Sequence, residues 1–127
     1  MEVAVVFTNP QSTFKALKAA AASANGLDAR VRLIVLQVVS HALPLDEPPV
    51  PVHFTEERVL PLVSDLGVDT RVDILLCRNK REGLMHALKP RSLVVVGSRR
   101  RWWPTWEKRL AKQLRRGGHE VILTETE

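Results

Sequence analysis

Five short runs of valine, isoleucine and leucine punctuate this chain, and segments of helical character fill most of the gaps between them. The runs are Val3 to Thr8, Val31 to Val39, Arg71 to Cys77, Ser92 to Gly97 and His119 to Thr124. Most lack alternation of apolar and polar residues, which marks strands buried on both faces. Such strands need helices above and below the sheet. Strands that alternate with helices are joined by right-handed crossovers, which make neighbours parallel. The pattern β-α-β-loop-α-β-α-β-α-β therefore predicts an α/β fold: a single doubly wound open sheet of five mostly parallel strands, with helices on both faces. Arg71 to Cys77 alternates at its start and is the expected edge strand of the early set.

Local signals place the helices. Asn9-Pro10 pairs a strong N-cap with a proline suited to the first helical position. Phe14, Leu17 and the alanines Ala19 to Ala22 continue that helix, and Asn25-Gly26 is its expected stop. Pro44, Pro48, Pro49 and Pro51 fall between about Ser40 and His53, which excludes both helix interior and central strand there and marks a surface excursion. Thr55 is the expected cap of the next helix, with Glu56 and Glu57 in its first turn. Val59, Leu60, Val63 and Leu66 recur at helical spacing, Pro61 would lie near the first turn or kink the helix, and Gly67 ends it. Asn79 is the expected cap of a short helix stopped by Pro90. Pro104 sets the start of the last helix and Gly117-Gly118 its end.

The 127 residues leave room for one ordinary domain, read as residues 1–127. With 45% apolar residues the chain can bury a core without disulfides or a metal. The lone cysteine, Cys77, sits in an apolar run and reads as a buried thiol in a reducing compartment. Met1 to Phe7 has an acid, Glu2, where a secretory leader has bases, and its apolar run is too short for one. No stretch approaches the roughly 20 apolar residues that span a bilayer. A cytoplasmic protein without membrane insertion is expected. The net charge of +5 is local in origin: Arg99, Arg100, Arg101, Lys108, Arg109, Lys112, Arg115 and Arg116 supply eight of the 19 cations. Such a cluster suits an anionic partner.

Taken together, these segments resemble the universal stress protein family over nearly the full length. Val3 to Ser12 (VAVVFTNPQS) is similar to that family's opening strand, which usually ends in a Thr-Asp pair. Ser92 to Ser98 (SLVVVGS) is similar to the fourth strand, which runs into Val-Gly-Ser or Met-Gly-Ser. Val31 to Val39 and His119 to Glu125 match the second and last strands. The resemblance implies the strand order 3-2-1-4-5 and a homodimer, since the last strand often pairs two subunits in the family. It also implies an ATP or other adenine-nucleotide site at the carboxyl ends of the strands, where an open α/β sheet reverses its order and leaves a crevice. The matching positions are Thr8 and Asn9 after the first strand, Val38 (or Val39) after the second, and Gly97, Ser98, Arg99 and Arg100 after the fourth.

The departures from the family pattern bear on that site. Of the phosphate-loop glycines only the first is present, as Gly97; the second position holds Arg100 and the third pair is Leu110-Ala111. Glycines there let bare N–H groups approach phosphate closely. The aspartate after the first strand is Asn9. These changes count against the usual ATP cradle and favour a degenerate nucleotide or anion pocket.

Ser98 to Trp106 (SRRRWWPTW) is the most unusual segment. In one reading Trp103 or Trp106 is buried and anchors the last helix to the sheet. In a second, the guanidinium groups hold phosphate in place of backbone amides, the helix N-terminus assists, and a tryptophan stacks on a base. A surface for single-stranded nucleic acid ranks behind these, as does a protein interface. The basic residues of the last helix lie along one face, opposite Leu110, Ala111 and Leu114, and read as a solvated face.

The remaining chemistry-bearing residues do not assemble. His41, His53, His86 and His119 show no metal-ligand spacing with Cys77 or one another. Asp65, Asp69 and Asp73 read as solvated charges. Gly97-Ser98-Arg99 is not a nucleophile elbow, and no Walker or Gly-x-Gly-x-x-Gly motif occurs. A non-catalytic regulatory or stress-response domain is expected, with a small anion or a protein as partner.

Overall fold

A computed structural model describes residues 2–46, 48, 50–64 and 66–126. Met1, Pro49 and Asp65, which figure in the sequence reading, lie outside the described residues. Nine elements follow in order: β1 (Glu2–Val6), α1 (Pro10–Leu27), β2 (Arg30–Val38), α2 (Val52–Val63), β3 (Thr70–Cys77), α3 (Lys80–Ala87), β4 (Leu93–Arg99), α4 (Trp106–Arg116) and β5 (Glu120–Thr126). The strands form one sheet in the order β3-β2-β1-β4-β5, and every pairing is parallel. The fold is the α/β arrangement expected, with β3 at one edge.

The continuous apolar runs have the consequence foreseen for them. Val3 and Val5 of β1 face α1 and α2, where they pack with Leu17, Ala20 and Val59. Ala4 and Val6 face α3 and α4, where they pack with Leu84, Leu110 and Leu114. Both faces of β1 are thereby removed from water, at about 1.5–3 kcal/mol for each large aliphatic side chain buried. The alanines of α1 let that helix lie close against the sheet: Ala16, Ala20 and Ala24 are fully buried.

Several boundaries differ from the sequence reading. Helix α1 continues through Asn25-Gly26 and stops at Asp28, a left-handed residue (φ 51, ψ 45) whose N–H bonds to the Ala24 carbonyl. Aspartate tolerates that conformation, so no glycine is needed. Helix α2 begins at Val52 after Pro51, not at Thr55, and has no side-chain cap. The Thr55 hydroxyl instead donates to Gln37 Oε1 at 2.8 Å. Pro61 sits in the last turn of α2, and Gly67 (φ 73) shapes the turn before β3. Strand β4 runs two residues past Gly97.

Asp73 is not a freely solvated charge. It accepts from Arg32 Nε at 2.5 Å and from Arg71 at 3.0 Å, and Arg32 also donates to the Ala87 carbonyl at 2.8 Å. Burial pushes the Asp73 carboxyl up, but the two guanidinium groups outweigh it and hold it below its ordinary value. Cys77 is buried as read from sequence, and burial pushes its thiol up against the opposing charge of Lys80. Helix α3 lies on it because of Gly83: a Cβ there would sit 2.9 Å from Cys77 Cβ.

Candidate anion-binding groove at the switch point of the sheet

Strand order reverses between β1 and β4, and the segments leaving their carboxyl ends diverge to opposite faces of the sheet. On the β1 side the chain is tied down tightly. Asn9 is extended, and its side-chain oxygen accepts from Ser12 N at 2.9 Å while its amide donates to Ser12 Oγ at 3.0 Å. Thr8 N donates to Thr13 Oγ1 at 2.9 Å, and the Thr8 hydroxyl donates to the Gly97 carbonyl at 2.7 Å. Ser12 and Thr13 are both fully buried. The Ser12 hydroxyl reaches across to Thr126 Oγ1 at 2.8 Å. Hydroxyl and amide groups here are committed to the fold.

Gly97 belongs to the same wall. It lies inside β4, and an added Cβ would come 2.2 Å from the Ser12 carbonyl oxygen. The missing side chain lets the first turn of α1 rest on β4. Ser98, fully buried, turns its hydroxyl toward the Arg99 carbonyl (3.1 Å) and Thr105 (3.4 Å).

The opposite wall is the segment from Arg99 to α4. Thr105 caps α4, its oxygen accepting from Lys108 N at 3.3 Å. Between the two walls lies a groove of about 530 Å³. Thr8 and Asn9 form its fixed side, and Arg99, Arg101, Trp103 and Trp106 its cationic and aromatic side, with Glu107 adding one carboxylate. Arg99 is exposed, and its side chain has no hydrogen bond or ion pair among the described residues. The Arg101 guanidinium sits 5.7 Å from the Trp103 ring centre and donates to the Arg100 carbonyl. Lys80 of α3 lies 4.6 Å over Trp106. The first amides of α4 have no partner within the helix and add positive potential at the same end.

Of the positions matched to the family site, Thr8, Asn9 and Arg99 line this groove. Gly97 and Ser98 form buried structure beneath it. Arg100 turns to β5, its N–H bonded to the Thr126 carbonyl and its guanidinium 3.4 Å from Glu125. Val38 is exposed at the end of β2, away from the groove. Thr105 and Glu107 were not singled out from sequence as lining residues, and Arg101 only as one of three arginines offered to phosphate. Nothing in three consecutive arginines says which one turns inward; the contact that removes Arg100 comes from a strand 25 positions on.

The tryptophan anchor is not found. Trp102 is 90% exposed, Trp103 47% and Trp106 37%. Helix α4 is held instead by Leu110, Ala111 and Leu114, which are buried as the helical spacing indicates. Among the described residues no group of histidine, cysteine and acid side chains could hold a metal ion, and no helix is long and apolar enough to cross a membrane.

No protein-family model and no curated protein sequence matches the chain. Solved structures do. The universal stress protein from Archaeoglobus fulgidus superposes with a TM-score of 0.70 at 14% identity, covering 97% of this chain and 92% of its own. The universal stress protein of the same organism in complex with dAMP gives 0.68 at 14%, covering 97% and 96%. A universal stress protein in complex with cAMP gives 0.64 at 16%, covering 100% and 98%. Likeness at such identities establishes the fold: this chain has that of the universal stress proteins.

Proposed function

We propose that this chain is a divergent, non-catalytic member of the universal stress protein family, a cytoplasmic regulatory domain that holds a phosphate-bearing small molecule in the switch-point groove. One observation carries the reading: Arg99 and Arg101 stand with Trp103 and Trp106 in one groove where the sheet reverses its order. Guanidinium forks suit phosphate oxygens, and an indole suits a base or other flat ring. The ligands dAMP and cAMP of two structures with this fold favour an adenine nucleotide as the first probe. With Gly97 closed over by α1, phosphate contact falls to side chains rather than to a glycine loop. The unpaired outer edge of β5, with Ile122 exposed, supports a homodimer.

Thermal unfolding with AMP, ADP, ATP and inorganic phosphate tests this. A ligand at about ten times its dissociation constant stabilises by about 1.4 kcal/mol. The expected result is a rise in melting temperature that Arg99→Gln and Arg101→Gln abolish and that Glu107→Gln enlarges. A melting temperature unmoved by all four at about millimolar concentration would sink the reading and favour a ligand-free interaction module.

A further inference from the structure

Of the three tryptophans, Trp103 and Trp106 edge the groove and Trp102 stands outside it. Trp103 and Pro104 are shared between it and a second, separate hollow of about 330 Å³, whose other sides are Trp102 and the α4 residues Lys108, Arg109 and Lys112. Trp102 and Trp103 stand edge to face, ring centres 5.6 Å apart. Trp102 is almost wholly exposed. Burying it would serve folding, yet the chain leaves it at a loop tip, beside a row of cations.

The charge is as lopsided as the aromatic content. Residues 98–119 contain eight of the 19 cations and one of the 14 acids, leaving eleven cations against thirteen acids elsewhere. The rest of the molecule is thus slightly acidic, and this corner is strongly basic. Lys108 and Lys112 are one helical turn apart and line the same hollow. Its Glu107 neighbour faces the other groove.

We infer that the outer face of this corner binds single-stranded nucleic acid, an unpaired base stacking on Trp102 while backbone phosphates lie along Lys108, Arg109 and Lys112. Aromatic platforms beside a cationic track are how such strands are held without sequence preference. Duplex bases are already stacked and offer no face to an indole. An anionic membrane surface fits less well, because the cations form one wall of the recess that the indoles line and do not encircle Trp102. The sequence reading ranked this partner behind an anchoring role for Trp103 or Trp106; all three indoles are exposed.

The test is fluorescence titration of the full chain with a thymidine oligomer of about ten nucleotides, the matching duplex, heparin and phosphatidylserine vesicles. Three phosphate contacts give a logarithmic salt slope of about −2, a roughly twenty-fold loss of affinity between about 50 and 200 mM salt. Trp102→Ala is expected to lower affinity about tenfold at unchanged slope, and Lys112→Gln to flatten the slope. Since Trp102 is exposed, an unchanged melting temperature certifies the variant as folded. Absence of binding at low salt, oligomer affinity unchanged in Trp102→Ala, a loss of heparin or vesicle affinity in Trp102→Ala as large as the loss for the oligomer, or preference for the duplex would overturn the inference. The nucleotide proposal stands apart: Trp102→Ala should leave the AMP-induced shift intact. Competition by AMP for all oligomer binding would return the second surface to the groove and also overturn it.

Discussion

On the β1 side of the crevice, the side chains of Thr8, Asn9, Ser12 and Thr13 are all hydrogen-bonded within the fold, and Gly97 has been left bare so that α1 can press against β4. On the β4 side, two residues away, the Arg99 side chain has no partner among the described residues and three indoles are exposed. The two walls divide the labour of a binding site. The first gives a fixed reference surface at the cost of any capacity to adapt. The second holds long, rotatable cations and rings that can close on a ligand but contribute little to stability.

The contrast can be broken by substitution. If the β1 wall is as rigid as its packing indicates, Gly97→Ala is the most damaging small change: the new methyl meets backbone rather than a movable side chain. A loss of about 3 kcal/mol is expected in urea unfolding. Thr13→Val leaves the partly buried Thr8 amide without its partner and should cost about 1.5 kcal/mol. Asn9→Ala removes the cap of α1 and should cost about 1 kcal/mol.

A reference outside the crevice is the Asp73 cluster with Arg32 and Arg71, expected to contribute about 1 kcal/mol because it is partly exposed. Asp73 is held below its ordinary value, so its contribution is complete above about pH 4 and fades as pH falls through the lower folded value. Asp73→Asn should therefore flatten the acid limb of the stability profile. On the open wall, Trp102→Ala should shift stability by less than about 0.5 kcal/mol, the smallest effect of the series. A Trp102 variant that unfolded like the Gly97 variant would erase the distinction between the walls.

Sheet order and pairing direction were legible because they follow from composition within runs of six to nine residues, together with a resemblance that fixed which strand neighbours which. Asn9, Asn79 and the Gly117 stop were readable from single residues whose capping chemistry is local. The false stop at Asn25-Gly26 arose because a glycine permits a helix end without enforcing one; Asp28, two residues on, takes the left-handed geometry. The site was legible only in part. Thr8, Asn9 and Arg99 could be placed by their distance from strand ends, but the fate of Arg100 depends on Glu125 and that of Gly97 on Ser12. Such pairings form only when distant segments meet. The tryptophans misled for a related reason: their size favours burial on average, and only the packing of Leu110, Ala111 and Leu114 into the core shows what holds α4.

Gly83 has a consequence for measurement. Because α3 lies flush on Cys77, the chain's one thiol belongs to a residue only 8% exposed and is pushed up by burial. It is therefore a slow target for alkylating reagents until that helix lifts. The labelling rate becomes a clock for one local opening, with no second cysteine to confound it, and a ligand in the groove beside Trp106, over which Lys80 of α3 lies, would show its grip on that helix by slowing or hastening it.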